Sequence, residues 1–231
     1  MKINLLLLIL FVGISSMAEI INAGIGGENT DKILARFQKD ALKRKPDLVI
    51  LMAGTNDTVN SYAALPPTKY KQNLLKLVSL SQKKGIKIIL VEIPPAYEKY
   101  LRKRHKKTFF DKKSASERIK VSNKILADVA KAKKIPLVKI HDLFLPVTEK
   151  KGCLIRNKSN CKVEDGIHPT PAGYKVIAKA IYDTIIKNKI PHKKIVCIGD
   201  SITYGIHVKG AGTSFGECYP GILNKLFGMK R

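Results

Sequence analysis

Five short apolar runs divide this chain, at residues 19–22, 47–52, 86–91, 136–140 and 194–198, and helix-length stretches separate them. The runs Leu48-Val49-Ile50-Leu51-Met52 and Ile195-Val196-Cys197-Ile198 contain no alternating polar residues. A strand of that kind must be covered on both faces. Strand and helix in strict alternation imply a parallel sheet with helices on either side, an α/β fold in three layers, α/β/α. The stretches between the runs support this. Thr30 caps a helix over roughly 31–44, with Ile33, Leu34, Phe37 and Leu42 near helical spacing and Pro46 as its stop. Tyr70, Leu74, Leu75, Leu77 and Val78 mark a second helix that Gly85 closes. A third lies near 115–133. Thr170-Pro171 opens a fourth that runs to about Lys187, and a last one lies near 219–227. Segment 96–117 has no clear period. It holds the basic run Arg102-Lys103-Arg104-His105-Lys106-Lys107, followed by Phe109-Phe110.

Hydrophobic residues make up 45% of the 231, enough for a packed core and too many for a disordered chain. There are no internal repeats and no low-complexity linker, so residues 19–231 read as one domain. Residues 1–18 stand apart. Lys2 precedes the unbroken apolar run Leu5–Val12, and Ser16-Met17-Ala18 is a small-x-small cleavage site. That is the pattern of a secretory signal peptide, too short to be read as a membrane span. No later stretch could span a bilayer, so an exported protein is expected, periplasmic or secreted.

The net charge of +25 admits an anionic partner. The lysines, however, are spread along the whole chain. No basic region is interleaved with aromatics, so DNA or RNA binding is not expected. An exported chain can pair its cysteines. Cys153 and Cys161 flank the polar loop 154–160, and a disulfide between them is expected. Cys197 and Cys218 read as buried thiols. No cysteine spacing is that of a zinc site.

The chemistry concentrates in Gly199-Asp200-Ser201-Ile202-Thr203-Tyr204-Gly205, directly after the run 194–198. A serine leaving the carboxyl end of a buried parallel strand stands where α/β folds bind ligands. It is not in a Gly-x-Ser-x-Gly elbow. Three other stretches accompany it: Asn22-Ala23-Gly24-Ile25-Gly26-Gly27-Glu28-Asn29, Gly54-Thr55-Asn56-Asp57 and Asp165-Gly166-Ile167-His168-Pro169. Acyl transfer needs a nucleophile, a base, a group that orients the base, and donors for the oxyanion. Ser201 is the candidate nucleophile and His168 the candidate base. Asp165 can orient the imidazole within one short turn.

Together the four stretches resemble the sequence blocks of the SGNH (GDSL-type) hydrolase superfamily. In the family the Gly-Asp-Ser block comes first. Here it comes last, so the chain reads as circularly permuted. The resemblance implies a flavodoxin-like five-stranded parallel sheet, with strands in the order 19–22, 194–198, 47–52, 86–91, 136–140. It maps the oxyanion hole onto the Ser201 backbone N–H, the Gly27 backbone N–H and the Asn56 side-chain amide. Asp57 and Asp200 are left to hold their turns. In the permuted layout Arg231 would finish close to Glu19.

The resemblance implies an exported serine esterase that works through an acyl-enzyme, with no metal and no organic cofactor. Its substrate would be a small-molecule or polysaccharide ester, most readily a carbohydrate O-acetyl ester. A lysophospholipase or thioesterase, a general arylesterase, and a non-catalytic carbohydrate-binding module on the same fold are the alternatives. The run 102–107 follows the strand 86–91 and could hold an anionic substrate. Asn56-Asp57-Thr58 is a glycosylation sequon inside the site, which favours a bacterial source.

Overall fold

The computed structural model describes residues 18–228. The signal segment 1–18, apart from Ala18, lies outside them, as does Arg231. Strands β1 (Glu19–Gly24), β2 (Leu48–Met52), β3 (Lys87–Val91), β4 (Leu137–Val138) and β5 (Lys194–Gly199) form one sheet in the order β1-β5-β2-β3-β4. Every pair is parallel. This is the strand order expected from the sequence. The strand that comes last in the chain lies between the first two, with Ile21 opposite Val196 and Val196 opposite Val49.

Alternate side chains of the central strands feed two cores. Val49, Leu51, Ile88, Leu90, Val196 and Ile198 face one side. There they meet Ile33 and Phe37 of α1 (Thr30–Asp40), Leu74 and Leu77 of α3 (Pro67–Lys83), and Ile119 and Leu126 of α5 (Ala115–Lys133). Leu48, Ile50, Ile89, Ile195 and Cys197 face the other side. They pack on Tyr174, Ile177 and Ile181 of α7 (Pro171–Lys187) and on Tyr219 and Leu223 of α9 (Tyr219–Gly228). Strands covered in this way must be apolar on both faces, which is why their sequences read as continuous runs.

The helix ends follow their local chemistry. Asn29, not Thr30, caps α1, its side chain accepting from the Lys32 N–H. The helix stops at Asp40, and Leu42–Arg44 tighten into a 3₁₀ turn. Thr170 caps α7 as expected, accepting from the Gly173 N–H. The unreadable segment contains α4 (Glu98–Arg104) and a 3₁₀ turn at Lys107–Phe110, after which Ser114 and Glu117 form a reciprocal capping box for α5. β4 has two residues instead of five. A short helix that the sequence did not announce, α2 (Thr55–Val59), leaves the end of β2.

All four cysteines are free thiols, so the expected Cys153–Cys161 disulfide is not formed. Cys161 ends the one-turn helix α6 (Lys158–Cys161) and its thiol donates to the Asn157 carbonyl at 3.1 Å. Cys153 instead packs against the core beside α7. The loop is closed by hydrogen bonds. Arg156 N–H donates to His168 O (2.9 Å), Gly166 N–H to Arg156 O (2.9 Å) and Thr170 N–H to Leu154 O (2.8 Å). Asn157 is buried and ties α6 to the carbonyls of Lys150 and Ile155.

Candidate active site

β1, β5 and β2 are neighbours, and each releases its loop at the same level. Gly24 and Met52 both lie opposite Gly199. Ser201 follows directly as the first residue of α8 (Ser201–Tyr204). Asp200 caps that helix, accepting from the Ile202 N–H at 2.9 Å. The Ser201 N–H belongs to the first turn of α8, where a backbone N–H has no partner within its own helix. Gly24 is needed for closeness, since a Cβ there would run into the backbone of Thr203 and Tyr204.

The loop after β1 passes beside Ser201, with Gly26 facing its Cβ. Gly27 is exposed and holds φ at 76°, a left-handed backbone that glycine adopts freely. Arg36 pins this loop to the neighbouring strand. Its guanidinium bonds Glu28 at 2.6 Å and the Gly199 carbonyl at 3.1 Å. Asn56, on α2, is almost fully buried. Its amide donates to the Glu28 carbonyl at 3.0 Å and lies 3.4 Å from Asp200 Oδ2. The segments carrying the three expected oxyanion donors therefore meet around Ser201.

His168 arrives from the loop before α7. Its Nε2 lies 3.0 Å from Ser201 Oγ. Its Nδ1 lies 2.9 Å from Asp165 Oδ2 and 3.0 Å from Oδ1. Asp165 is buried, and its Oδ1 also accepts from the Ile167 and His168 N–H groups at 2.9 and 2.8 Å. Burial alone would raise this carboxyl. The bonds from His168 and the two N–H groups outweigh it and set the pKa at about 2. An ionised Asp165 can only accept, so Nδ1 carries the proton and Nε2 turns a lone pair toward the serine hydroxyl.

Asp57 does more than hold its own turn. It reaches across to the start of α1 and accepts from the Thr30 N–H and hydroxyl. Burial raises Asp57 and Asp200 each to about 6, against the hydrogen bonds that favour their ionised forms. A carboxyl with a raised folded pKa stabilises the fold below its unfolded pKa. That contribution is lost as pH rises through the folded value. In Asp200→Asn the cap to Ile202 can persist through Oδ1 while the titration disappears. Between pH 4 and pH 7 the wild type is expected to lose on the order of 2–3 kcal/mol relative to this variant. Urea unfolding at both pH values measures the difference, and a gap that stays constant or grows in favour of the wild type contradicts it.

Two residues at the site had no clear sequence signal. Arg156 Nε and His207 Nε2 each lie 3.7 Å from Asp165 Oδ2. Burial and the neighbouring His168 lower the pKa of His207. Its only clue was its place shortly after Ser201. Asp165, His168 and His207 are the residues here that could hold a metal ion. Two members of the basic run are engaged in ion pairs. Arg102 pairs with Glu98 and Asp111, and Lys103 pairs with Glu164. An open cleft of about 770 Å³ between Leu42, Pro46, Lys87 and Pro191 lies at the amino ends of the strands, away from Ser201.

The sequence pattern of the GDSL-like Lipase/Acylhydrolase family matches residues 14–176. The chain belongs to this family. It is a GDSL-type esterase/acylhydrolase, a serine hydrolase. It is 32% identical over 178 residues to the uncharacterized lipoprotein YqeF of Bacillus subtilis, covering 71% of this chain and 72% of that one. It is 26% identical over 171 residues to an arylesterase of Vibrio mimicus, with coverage of 73% and 70%. Among solved structures, a GDSL-like lipase from Bacteroides thetaiotaomicron is 30% identical, with a TM-score of 0.57 over 71% of this chain and 74% of that one. Among the described residues of the GDSL-family chain, no helix is long and apolar enough to cross a membrane.

Proposed function

We propose that Ser201 is the nucleophile, His168 its base and Asp165 the group that orients His168, in an exported esterase occupying residues 19–231. The observation that carries this is the unbroken chain Asp165–His168–Ser201, with contacts of 2.9 and 3.0 Å. His168 takes the hydroxyl proton as Ser201 Oγ attacks the ester carbonyl. The Ser201 and Gly27 N–H groups and the Asn56 amide stabilise the oxyanion. His168 then protonates the departing alcohol, and a water activated in the same way releases the acid.

We assign the substrate as a short acyl ester of a carbohydrate. Gly26 faces the Ser201 Cβ, Gly27 follows it on the same exposed loop, and a Cβ on Gly27 would meet no atom within 4 Å. Such an open rim admits a bulky alcohol. The other neighbours, Asn56, His168 and, beyond Asp165, Arg156, are polar, which suits a sugar better than a long alkyl chain. An anionic group on that sugar would find Arg156 and Arg104, both close to Asp165.

The permuted block order belongs to the same reading. It is supported by the insertion of β5 between β1 and β2 and by the family match, which ends at residue 176, before the Ser201 segment. The packing of α9 against β1 also supports it, since it brings the late chain back to that edge.

The test is acetate release from an acetylated xylo-oligosaccharide, set beside hydrolysis of p-nitrophenyl esters of increasing acyl length. The expected result is acetate release, with turnover falling as the acyl chain lengthens. Preference for long-chain esters or lysophospholipid would move the assignment to a lipid acylhydrolase.

A further inference from the structure

The hydrolysis described above makes no use of His207. This residue sits six positions after Ser201 and holds a left-handed backbone, φ 68°, unusual for a residue with a side chain. Its ring meets His168 edge-on, with centroids 5.3 Å apart and planes at 80°. Its side chain is 46% exposed, whereas Asp165 is 4% exposed. One ligand atom each from Asp165, His168 and His207 lies within 4.8 Å of the others.

We propose that these three side chains form a binding site for a divalent transition metal, zinc above all, and that its occupation turns the serine centre off. The inhibitory half of this rests on the reading of Ser201 and His168 as nucleophile and base. The donor set is two imidazole nitrogens and one carboxylate oxygen. Such a set suits zinc, whereas magnesium and calcium prefer oxygen ligands. Tetrahedral zinc, bound at about 2.0–2.2 Å, holds its ligand atoms roughly 3.3 Å apart. The separations from Asp165 Oδ2 to His168 Nδ1 and to His207 Nε2 are 2.9 and 3.7 Å, on either side of that value. Small side-chain movements would admit the ion and leave its fourth position to water. Solvent reaches the site from the His207 side.

The inhibition follows from proton bookkeeping on one ring. Zinc needs the lone pair of His168 Nδ1, which now bears the proton shared with Asp165. In the neutral imidazole that proton relocates to Nε2, with no net gain or loss. Nε2 then donates toward Ser201 Oγ and can no longer accept from it. The base is converted to its unproductive tautomer without any change in the serine. Arg156 Nε, 3.7 Å from the same carboxylate oxygen, opposes a cation. The site is therefore expected to fill at micromolar zinc, not nanomolar.

The test uses the purified protein and His207→Asn, since asparagine tolerates the left-handed backbone. Zinc is titrated against hydrolysis of a short aryl ester. Cobalt(II) is titrated separately, without substrate, against visible absorption, which reports a tetrahedral site. His207→Asn should hydrolyse the ester normally in metal-free buffer. The wild type should be inhibited by micromolar zinc and recover with chelator. In His207→Asn the inhibiting concentration should rise at least about tenfold, as losing even an outer partner of a metal ligand typically does. The cobalt spectrum should appear in the wild type and in Ser201→Ala, and be lost in His207→Asn. Zinc inhibition of equal strength in wild type and His207→Asn, or no cobalt spectrum in an active wild type, overturns the site. A His207-dependent cobalt spectrum in a protein that hydrolyses no ester supports the site and instead removes the hydrolase reading.

Discussion

Ser201→Ala is expected to lower kcat for a short-chain ester by about 10⁵–10⁶-fold, and adding His168→Ala should lower it little further. The reason is that the two side chains act on one proton. Once the hydroxyl is gone, His168 has nothing to deprotonate. Once the imidazole is gone, Ser201 remains a neutral alcohol and a poor nucleophile. Their contact of 3.0 Å makes them a unit, so their effects cannot add. Asn56→Ala provides the contrast. On the proposed mechanism it removes one of three oxyanion donors and leaves the proton path intact, so a loss of about 10²–10³-fold is expected. Steady-state kinetics on the three single variants and the double variant decide the matter. Additive losses from Ser201→Ala and His168→Ala would mean that the two do not share a step, and a variant lacking Ser201 that still turned over ester at wild-type rate would move the nucleophile elsewhere.

Asp165→Asn is expected to cost about 10⁴-fold in kcat, although the change is nearly isosteric. Asp165 Oδ1 already accepts from the Ile167 and His168 N–H groups. An asparagine must keep its oxygen there, which turns its NH₂ toward His168 Nδ1 in place of Oδ2. Facing a donor, Nδ1 has to accept, and the ring proton moves to Nε2. The base is then present, correctly placed and in the wrong tautomer. The loss should appear in kcat with little change in KM, since substrate contacts are untouched. A fall of less than about tenfold would show that Asp165 does not set the tautomer. Circular dichroism distinguishes this from unfolding, because the same carboxylate organises the turn 165–168.

Much of this arrangement was legible in the residues. Val49 and Val196 lie in runs apolar on every position, and Ile89 in one broken only by Lys87, which placed the central strands and required helices on both faces. The four motif stretches located Ser201, His168, Asp165, Gly27 and Asn56, and the strand order followed from the resemblance. What escaped was set by contacts distant in sequence. α2 has no apolar period to announce it, because four of its five residues are buried polar groups, such as Asp57, which bonds to Thr30. The sequence of loop 153–161 points to a covalent clasp, because nothing local in it shows that Arg156 and Leu154 pair with His168 and Thr170. Arg156 and His207 gain their meaning only from the folded position of Asp165, which a linear pattern does not carry.

The position of β5 bears on how the protein comes into being. During synthesis four strands emerge before it, yet the first two of them, β1 and β2, touch each other only through it. The sheet therefore waits, with β1 cut off from β2, β3 and β4, until the ribosome has delivered the last strand, and closure then needs pairings such as Glu19 with Lys194, far apart along the chain. Such non-local closure is slow. It also makes the serine centre indivisible in time. A chain cut short before residue 194 lacks Ser201, the proposed nucleophile, and the strand that aligns both neighbouring loops, so no partial product is expected to carry a fraction of the activity. Until that last strand is in place the nascent chain stays inert.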